Sequence, residues 1–305
     1  MAERAEKFLK RLTQGEMLLA DGAWSTQMQQ LGLQPGECPE EWNATHSRWI
    51  KQIARDYFDA GAEMVLTNTF GGTRFRLLRH GFAGRVREFN QAGAALCRKV
   101  ADEYGGFVAA SVGPTGEFVE PEGLLKEREM YAAFLEQLAA LKDGGADAVC
   151  IETMYVLEEA LLAVKAAREL NLFCMASMTF ESTPSGFRTL LGTSVEDALR
   201  ALDAAGADVV GTNCGNDMDG IVRLAQRMRL FTKKPLLVRA NAGVPQVAAD
   251  KISFQDTPET MAARIGELKA AGVSIVGGCC GTTPEHIRRF RTAMDGLKKG
   301  LRPEA

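Results

Sequence analysis

Ala60-Gly61-Ala62-Glu63-Met64-Val65-Leu66 is the stretch that decides the fold, because variants of it come back three more times. The later copies are Gly144-Gly145-Ala146-Asp147-Ala148-Val149-Cys150-Ile151, Ala205-Gly206-Ala207-Asp208-Val209-Val210 and Ala271-Gly272-Val273-Ser274-Ile275-Val276. Each copy follows a charged amphipathic run and leads into an apolar burst. Glycine at that point suits a helix C-terminus, where a residue in the left-handed region ends the helix. The apolar burst after it suits a strand covered on both faces. Gly61 and Gly272 are 211 residues apart over three intervals, too far for one βα unit per interval and right for two.

The missing units lie between the copies. Residues 17–22, 107–113, 172–180 and 235–241 read as strands, and 85–104, 127–142, 157–170 and 261–270 as helices. Thr257-Pro258-Glu259 and Thr283-Pro284-Glu285 read as helix starts, with a capping hydroxyl, proline at the first position and an acid in the first turn. The total is eight βα units. Such alternation predicts a parallel sheet, and eight units predict a single (β/α)8 barrel. A doubly wound open sheet is the competitor, but no shift in composition marks a boundary, so one domain over 1–305 is expected.

Composition narrows the function. Thirty-six basic against 39 acidic residues leave a net charge of −3, too balanced for a nucleic-acid groove or an anionic membrane surface. The amino terminus mixes charges through every turn, and no stretch reaches the roughly 20 apolar residues of a membrane helix. Seven cysteines, an odd number over a long chain, disfavour a disulfide framework and favour a reducing compartment. A soluble cytoplasmic protein is expected.

The segments 23–45, 114–126, 181–193 and 243–256 read as long strand-to-helix loops, whereas the helix-to-strand turns are short. Barrel enzymes assemble their sites on that longer-looped, C-terminal side. The strand ends there read Thr67-Asn68-Thr69-Phe70, Glu152-Thr153, Thr212-Asn213-Cys214 and Gly277-Gly278-Cys279-Cys280-Gly281. Three cysteines thus fall on strands six and eight, whose like parity lets inward residues share a layer. Three thiolates and one open position make a tetrahedral site for a soft cation, zinc first. For Cys279 and Cys280 to meet one ion the strand must end or kink between them, and the flanking glycines permit it. A redox dithiol at Cys279-Cys280 and a phosphate-binding glycine turn are the other readings. Cys97, Cys150 and Cys174 read as small core residues, while Cys38 reads as exposed near a loop tip or incidental. His46, His80 and His286 sit in helical or helix-start patterns, which disfavours histidine ligation; no lysine ends a strand, which disfavours a Schiff base.

Taken in order, Asp21-Gly22-Ala23, Thr67-Asn68-Thr69-Phe70, Ser111-Val112-Gly113-Pro114-Thr115-Gly116, Gly211-Thr212-Asn213-Cys214, Asn241-Ala242-Gly243 and Gly277-Gly278-Cys279-Cys280-Gly281-Thr282-Thr283-Pro284 resemble the homocysteine S-methyltransferase family. Within it they are most similar to the homocysteine-binding modules of cobalamin-dependent methionine synthases, over about residues 14–295. The resemblance implies a (β/α)8 barrel with Zn²⁺ on Cys214, Cys279 and Cys280. It implies that Glu152 receives the homocysteine amino group, that the Asp21-Gly22 turn helps hold the amino acid, and that Asn68, Ser111, Asn213 and Asn241 line the substrate site. Arg239-Ala240 departs from the pattern, because the family often has proline before the asparagine, and the context of Cys214 varies in the family.

The chemistry fits. A free thiol is mostly protonated at neutral pH, and binding to zinc deprotonates it. Three thiolates already make that site net −1, so a fourth keeps the electron density needed to attack a methyl group. The resemblance points to a methylcorrinoid donor (methylcobalamin type). One barrel uses up the 305 residues, so a separate corrinoid protein is expected to deliver the methyl group in trans. S-methylmethionine, S-adenosylmethionine or betaine are the alternative donors, and a non-catalytic homocysteine- or metal-binding subunit the alternative role.

Overall fold

The structure, a computed structural model, describes residues 2–184, 186–244, 246–248 and 251–299. Eight parallel strands form the barrel: β1 Leu18–Leu19, β2 Met64–Leu66, β3 Phe107–Val112, β4 Ala148–Met154, β5 Phe173–Met178, β6 Val209–Asn213, β7 Leu236–Ala240 and β8 Val273–Gly278. Ladders join each strand to the next from β2 through β8, and β1 pairs with β8. The seam between β1 and β2 is narrow. One parallel bridge, Ala20 to Met64, joins them, and Glu63 N–H donates to the Leu19 carbonyl at 2.7 Å.

The repeated glycine works as its sequence context predicts. Gly61, Gly145, Gly206 and Gly272 have φ of +98°, +91°, +92° and +79°, the left-handed turn that ends each helix and aims the chain into a buried strand. Helices outside the barrel follow the strands, among them Val86–Tyr104, Glu127–Asp143 and Leu157–Glu169. Thr257 caps its helix by accepting the Thr260 N–H, as its motif predicts. The N-terminal helix Ala2–Thr13 covers the opposite end of the barrel, where the Phe8 ring packs edge-on to Phe107 and Phe173 at 4.8 and 5.5 Å.

Several boundaries differ from the sequence reading. The first strand is two residues long, and just past it the Asp21 carboxylate takes the Leu66 N–H at 2.7 Å in place of a backbone partner. The expected helix over 261–270 is two short helices, Pro258–Ala262 and Ile265–Ala270, with a turn at Ala263-Arg264. Three of the segments read as loops carry structure of their own. Residues 23–45 fold into Trp24–Gln30, Pro39–Glu41 and Trp42–Thr45. Hairpins Glu181–Thr183/Gly186–Arg188 and Gln246–Ala248/Lys251–Ser253 stand in the loops after β5 and β7, the second reaching beside residues outside those described. Cys97, Cys150 and Cys174 are core residues as read. Cys38 is buried too, packed in a small cluster with Leu77, Val86 and Phe89, so it is not at an exposed tip.

One glycine in β6 fixes how closely the site-bearing strands approach. A methyl group on Gly211 would fall on the Leu237 carbonyl oxygen of β7. Gly211→Ala therefore has to part β6 from β7, at a cost of about 2–3 kcal/mol for an overpacked core. The expected result is a melting temperature lower by about 3–5 °C, read by circular dichroism. An unchanged melting curve would show that the two strands part without cost.

Candidate active site

The C-terminal strand ends surround a cavity of about 410 Å³. Gly22, Asn68, Ser111, Glu152, Cys214, Arg239, Cys279 and Cys280 lie on its wall, with Trp24, Phe70, Thr153 and Tyr155. The backbone is strained there. Of three non-glycine residues with positive φ among those described, Thr153 and Cys214, both at 60°, stand at this wall. A β-branched threonine in the left-handed region costs free energy and needs its surroundings to hold it. Asn213 supplies the brace. Its Oδ1 accepts from Thr153 N at 2.8 Å and Ser177 Oγ at 2.7 Å, and its Nδ2 donates to Thr153 Oγ1 at 2.7 Å and towards Cys279 Sγ at 3.8 Å.

The three strand-end cysteines converge. Strand β8 stops at Gly278, so Cys279 and Cys280 lie past the ladder and escape strict alternation. Cys279 N donates to the Ala240 carbonyl at 2.7 Å, and Cys214 N to the Arg239 carbonyl at 3.2 Å, so the end of β7 holds both sulfur-bearing turns. Gly281, with φ +79°, completes the turn after Cys280. The sulfurs of Cys214, Cys279 and Cys280 lie within 4.8 Å of one another, and all three are free thiols. Zinc–sulfur bonds of about 2.3 Å place tetrahedral sulfurs about 3.8 Å apart, so the spacing accommodates one ion between them. Hydrogen bonds from the Cys279 and Cys280 thiols, helped by the Asn241 side chain, pull Cys214 down to about 3. Facing that anion, Cys279 and Cys280 are pushed up. Asn241 Oδ1, buried with no hydrogen-bond partner, adds an orphaned oxygen beside the sulfurs. The donor set fits a metal ion.

Below the sulfurs runs a buried ion network. The Arg239 guanidinium reaches across the barrel to Glu152 Oε2 at 2.7 Å and Asp21 Oδ1 at 3.1 Å. Gly277 pairs with Arg239 in register, and a Cβ there would press on the Asp21 carbonyl and the Ala20 methyl, so glycine lets β8 lie close to the end of β1. Ser111 Oγ donates to Glu152 Oε1 at 2.5 Å and is itself held through Thr67 and Thr69. Burial raises the Glu152 carboxyl, and Arg239 opposes it. Asp21 is pushed up to about 6 by burial, against the pull of Arg239 and of hydrogen bonds from Trp24 and Leu66.

The residues read from sequence therefore divide by placement. Gly22, Asn68, Ser111, Glu152 and the three cysteines face the cavity. Asn68 Nδ2 also ties the wall to the Pro39 carbonyl at 2.6 Å. Asp21, Asn213 and Asn241 are buried and stand behind the wall, Asp21 with its carboxylate taken up by Trp24 Nε1, Leu66 N and Arg239. Arg239 was missed as a site residue. A charge inside the apolar run Leu236-Leu237-Val238 was the signal, because a strand covered on both faces tolerates a cation only when paired.

A profile of the homocysteine S-methyltransferase family matches residues 18–294. The chain belongs to that family. Methionine synthase of Mycobacterium tuberculosis is 34% identical over 93% of this chain and 25% of its own length. Methionine synthase of Mycobacterium leprae is 33% identical over 94% and 25%. The chain thus spans about a quarter of the length of these relatives. Among solved structures, the Escherichia coli homocysteine methyltransferase MmuM shares the fold. Its oxidized form has a TM-score of 0.75 at 23% identity, covering 90% of this chain and 95% of that one; the metallated form has 0.73, 23%, 91% and 96%. No helix among the described residues is long and apolar enough to cross a membrane.

Proposed function

We propose that this chain methylates the thiol of homocysteine at a zinc ion held by Cys214, Cys279 and Cys280. The observation that carries the reading is the convergence of three free sulfurs, from two separate stretches of chain, on the wall of a cavity that also bears a buried carboxylate. Zinc bound there supplies deprotonation and a fixed position for the substrate sulfur. The chain's own residues do the rest. Asn213 holds Cys279 and the strained Thr153 turn in place, and the end of β7 fixes the two sulfur-bearing turns. Glu152, paired with Arg239 and aimed by Ser111, takes the substrate ammonium and selects an amino acid over a plain thiol. Asp21 and Gly22 shape the floor beneath it.

The methyl donor in this proposal is a methylcorrinoid held outside this barrel, in keeping with the likeness to methionine synthases over a quarter of their length. A cavity of about 410 Å³ encloses an amino acid but not a corrinoid, so the methyl group is offered at the mouth. A second reading, a sulfonium or betaine donor inside the cavity, has its own support: Trp24, Phe70 and Tyr155 stand in the wall with the buried Glu40 carboxylate, a setting suited to an organic cation.

A donor panel tests both. Zinc-loaded protein is assayed for methionine formation from homocysteine with methylcobalamin, S-methylmethionine, S-adenosylmethionine or betaine, before and after treatment with a strong chelator. Methyl transfer that disappears on chelation and returns with zinc is expected. Turnover that survives complete metal removal overturns the reading, and turnover with a sulfonium alone moves the donor to the second one.

A further inference from the structure

We propose that Arg239 reads the α-carboxylate of the acceptor while Glu152 reads its ammonium, so that a protein ion pair matches the substrate's own two charges. The inference rests on homocysteine as the acceptor and adds a recognition residue to it. Arg239 and Glu152 both line the cavity, joined at 2.7 Å. An α-amino acid carries its positive and negative groups on one carbon, so adjacent protein charges of opposite order complement it.

The donor inventory leaves room. A guanidinium has five N–H bonds. Nη2 uses two, on Asp21 Oδ1 at 3.1 Å and the Gly22 carbonyl at 3.2 Å, and Nη1 uses one on Glu152. Nε is buried with no partner. Arg239 as a whole is 3% exposed. Nη1 keeps a second N–H beyond the one given to Glu152, and a carboxylate entering the cavity can accept it. Glu152 has matching capacity, since Oε1 and Oε2 each accept one hydrogen bond from protein, from Ser111 and Arg239. Charge agrees as well. Asp21 and Glu152 against Arg239 leave one negative charge uncompensated, which an ammonium completes and which would otherwise repel a carboxylate. A plain tie between two acids would need no place on the cavity wall.

Titration calorimetry on the zinc-loaded protein separates the possibilities, using three thiols: L-homocysteine, 3-amino-1-propanethiol, which lacks the carboxylate, and 4-mercaptobutyrate, which lacks the ammonium. Wild type is expected to bind the aminothiol about 30-fold more weakly than homocysteine, the worth of a charge-assisted contact. Arg239→Lys keeps the buried charge but loses the fork, so that ratio falls to a few-fold while discrimination against 4-mercaptobutyrate, set by Glu152, is retained. Equal wild-type affinity for homocysteine and the aminothiol overturns the inference and needs no variant. A uniform loss for all three thiols in Arg239→Lys overturns it too, because Arg239 then acts only on the fold. Failure of every thiol to bind zinc-loaded wild type overturns the acceptor assignment, and this inference with it.

Discussion

Cys279→Ala is expected to empty the metal site. The purified variant should carry far less than one zinc per chain where the wild type carries about one, and methyl transfer to homocysteine should be undetectable. Cys279 is the middle of the cluster: half-buried, hydrogen-bonded to Cys214 and Cys280, and approached by the Asn213 amide. Structural zinc sites with four ligands bind with about 10–16 kcal/mol, so one sulfur is worth about 3–4 kcal/mol, or 10²–10³-fold in affinity. Competition with a chelator of known affinity, followed by metal analysis, reads that loss directly. Alanine at 279 leaves a small cavity beside an otherwise intact turn, so circular dichroism should show the barrel folded. Unchanged zinc stoichiometry and affinity would remove the metal from the proposed mechanism and return the Cys279-Cys280 pair to the redox reading.

Glu152→Gln is expected to separate substrate binding from metal binding. The amide keeps the shape and can still accept from Ser111 Oγ, now 2.5 Å from Glu152 Oε1, but it loses the charge proposed to meet the ammonium. Losing one member of a buried, hydrogen-bonded charge pair costs about 2–5 kcal/mol, so the homocysteine KM should rise at least about 30-fold. Zinc content should stay at the wild-type level, because no hydrogen bond joins Glu152 to the three sulfurs. Arg239 keeps Asp21 as a partner, which limits the damage to the fold. Steady-state kinetics beside metal analysis decides. A variant that loses its metal while homocysteine still saturates at the wild-type concentration would make Glu152 a support of the sulfur cluster and not a substrate ligand.

Much of the molecule can be read locally. The glycine turns at 61, 145, 206 and 272 announce themselves, since only a residue free to adopt positive φ ends a helix and enters a buried strand within four residues. Once the eight units close into a barrel, chain order is also strand order. The cysteines at 214, 279 and 280 were legible as strand-end residues. Their sharing of one point depended on β8 ending at Gly278 and on the positive φ of Cys214, which no pattern of apolar residues encodes. Asp21 was legible as a turn residue at the right end of the barrel. That its carboxylate would mend the β1–β2 seam was not, since the Leu66 N–H it accepts is 45 positions away.

The 305 letters alone therefore determined the number of βα units, the end of the barrel at which the strand-end cysteines lie, and the family. These follow from short-range rules: period, glycine handedness and residue type at strand ends. Tertiary structure decided which charges meet. Arg239 joins Asp21 and Glu152 over separations of 218 and 87 residues. Such a pairing depends on barrel radius and strand stagger, properties of the closed sheet and of no segment within it.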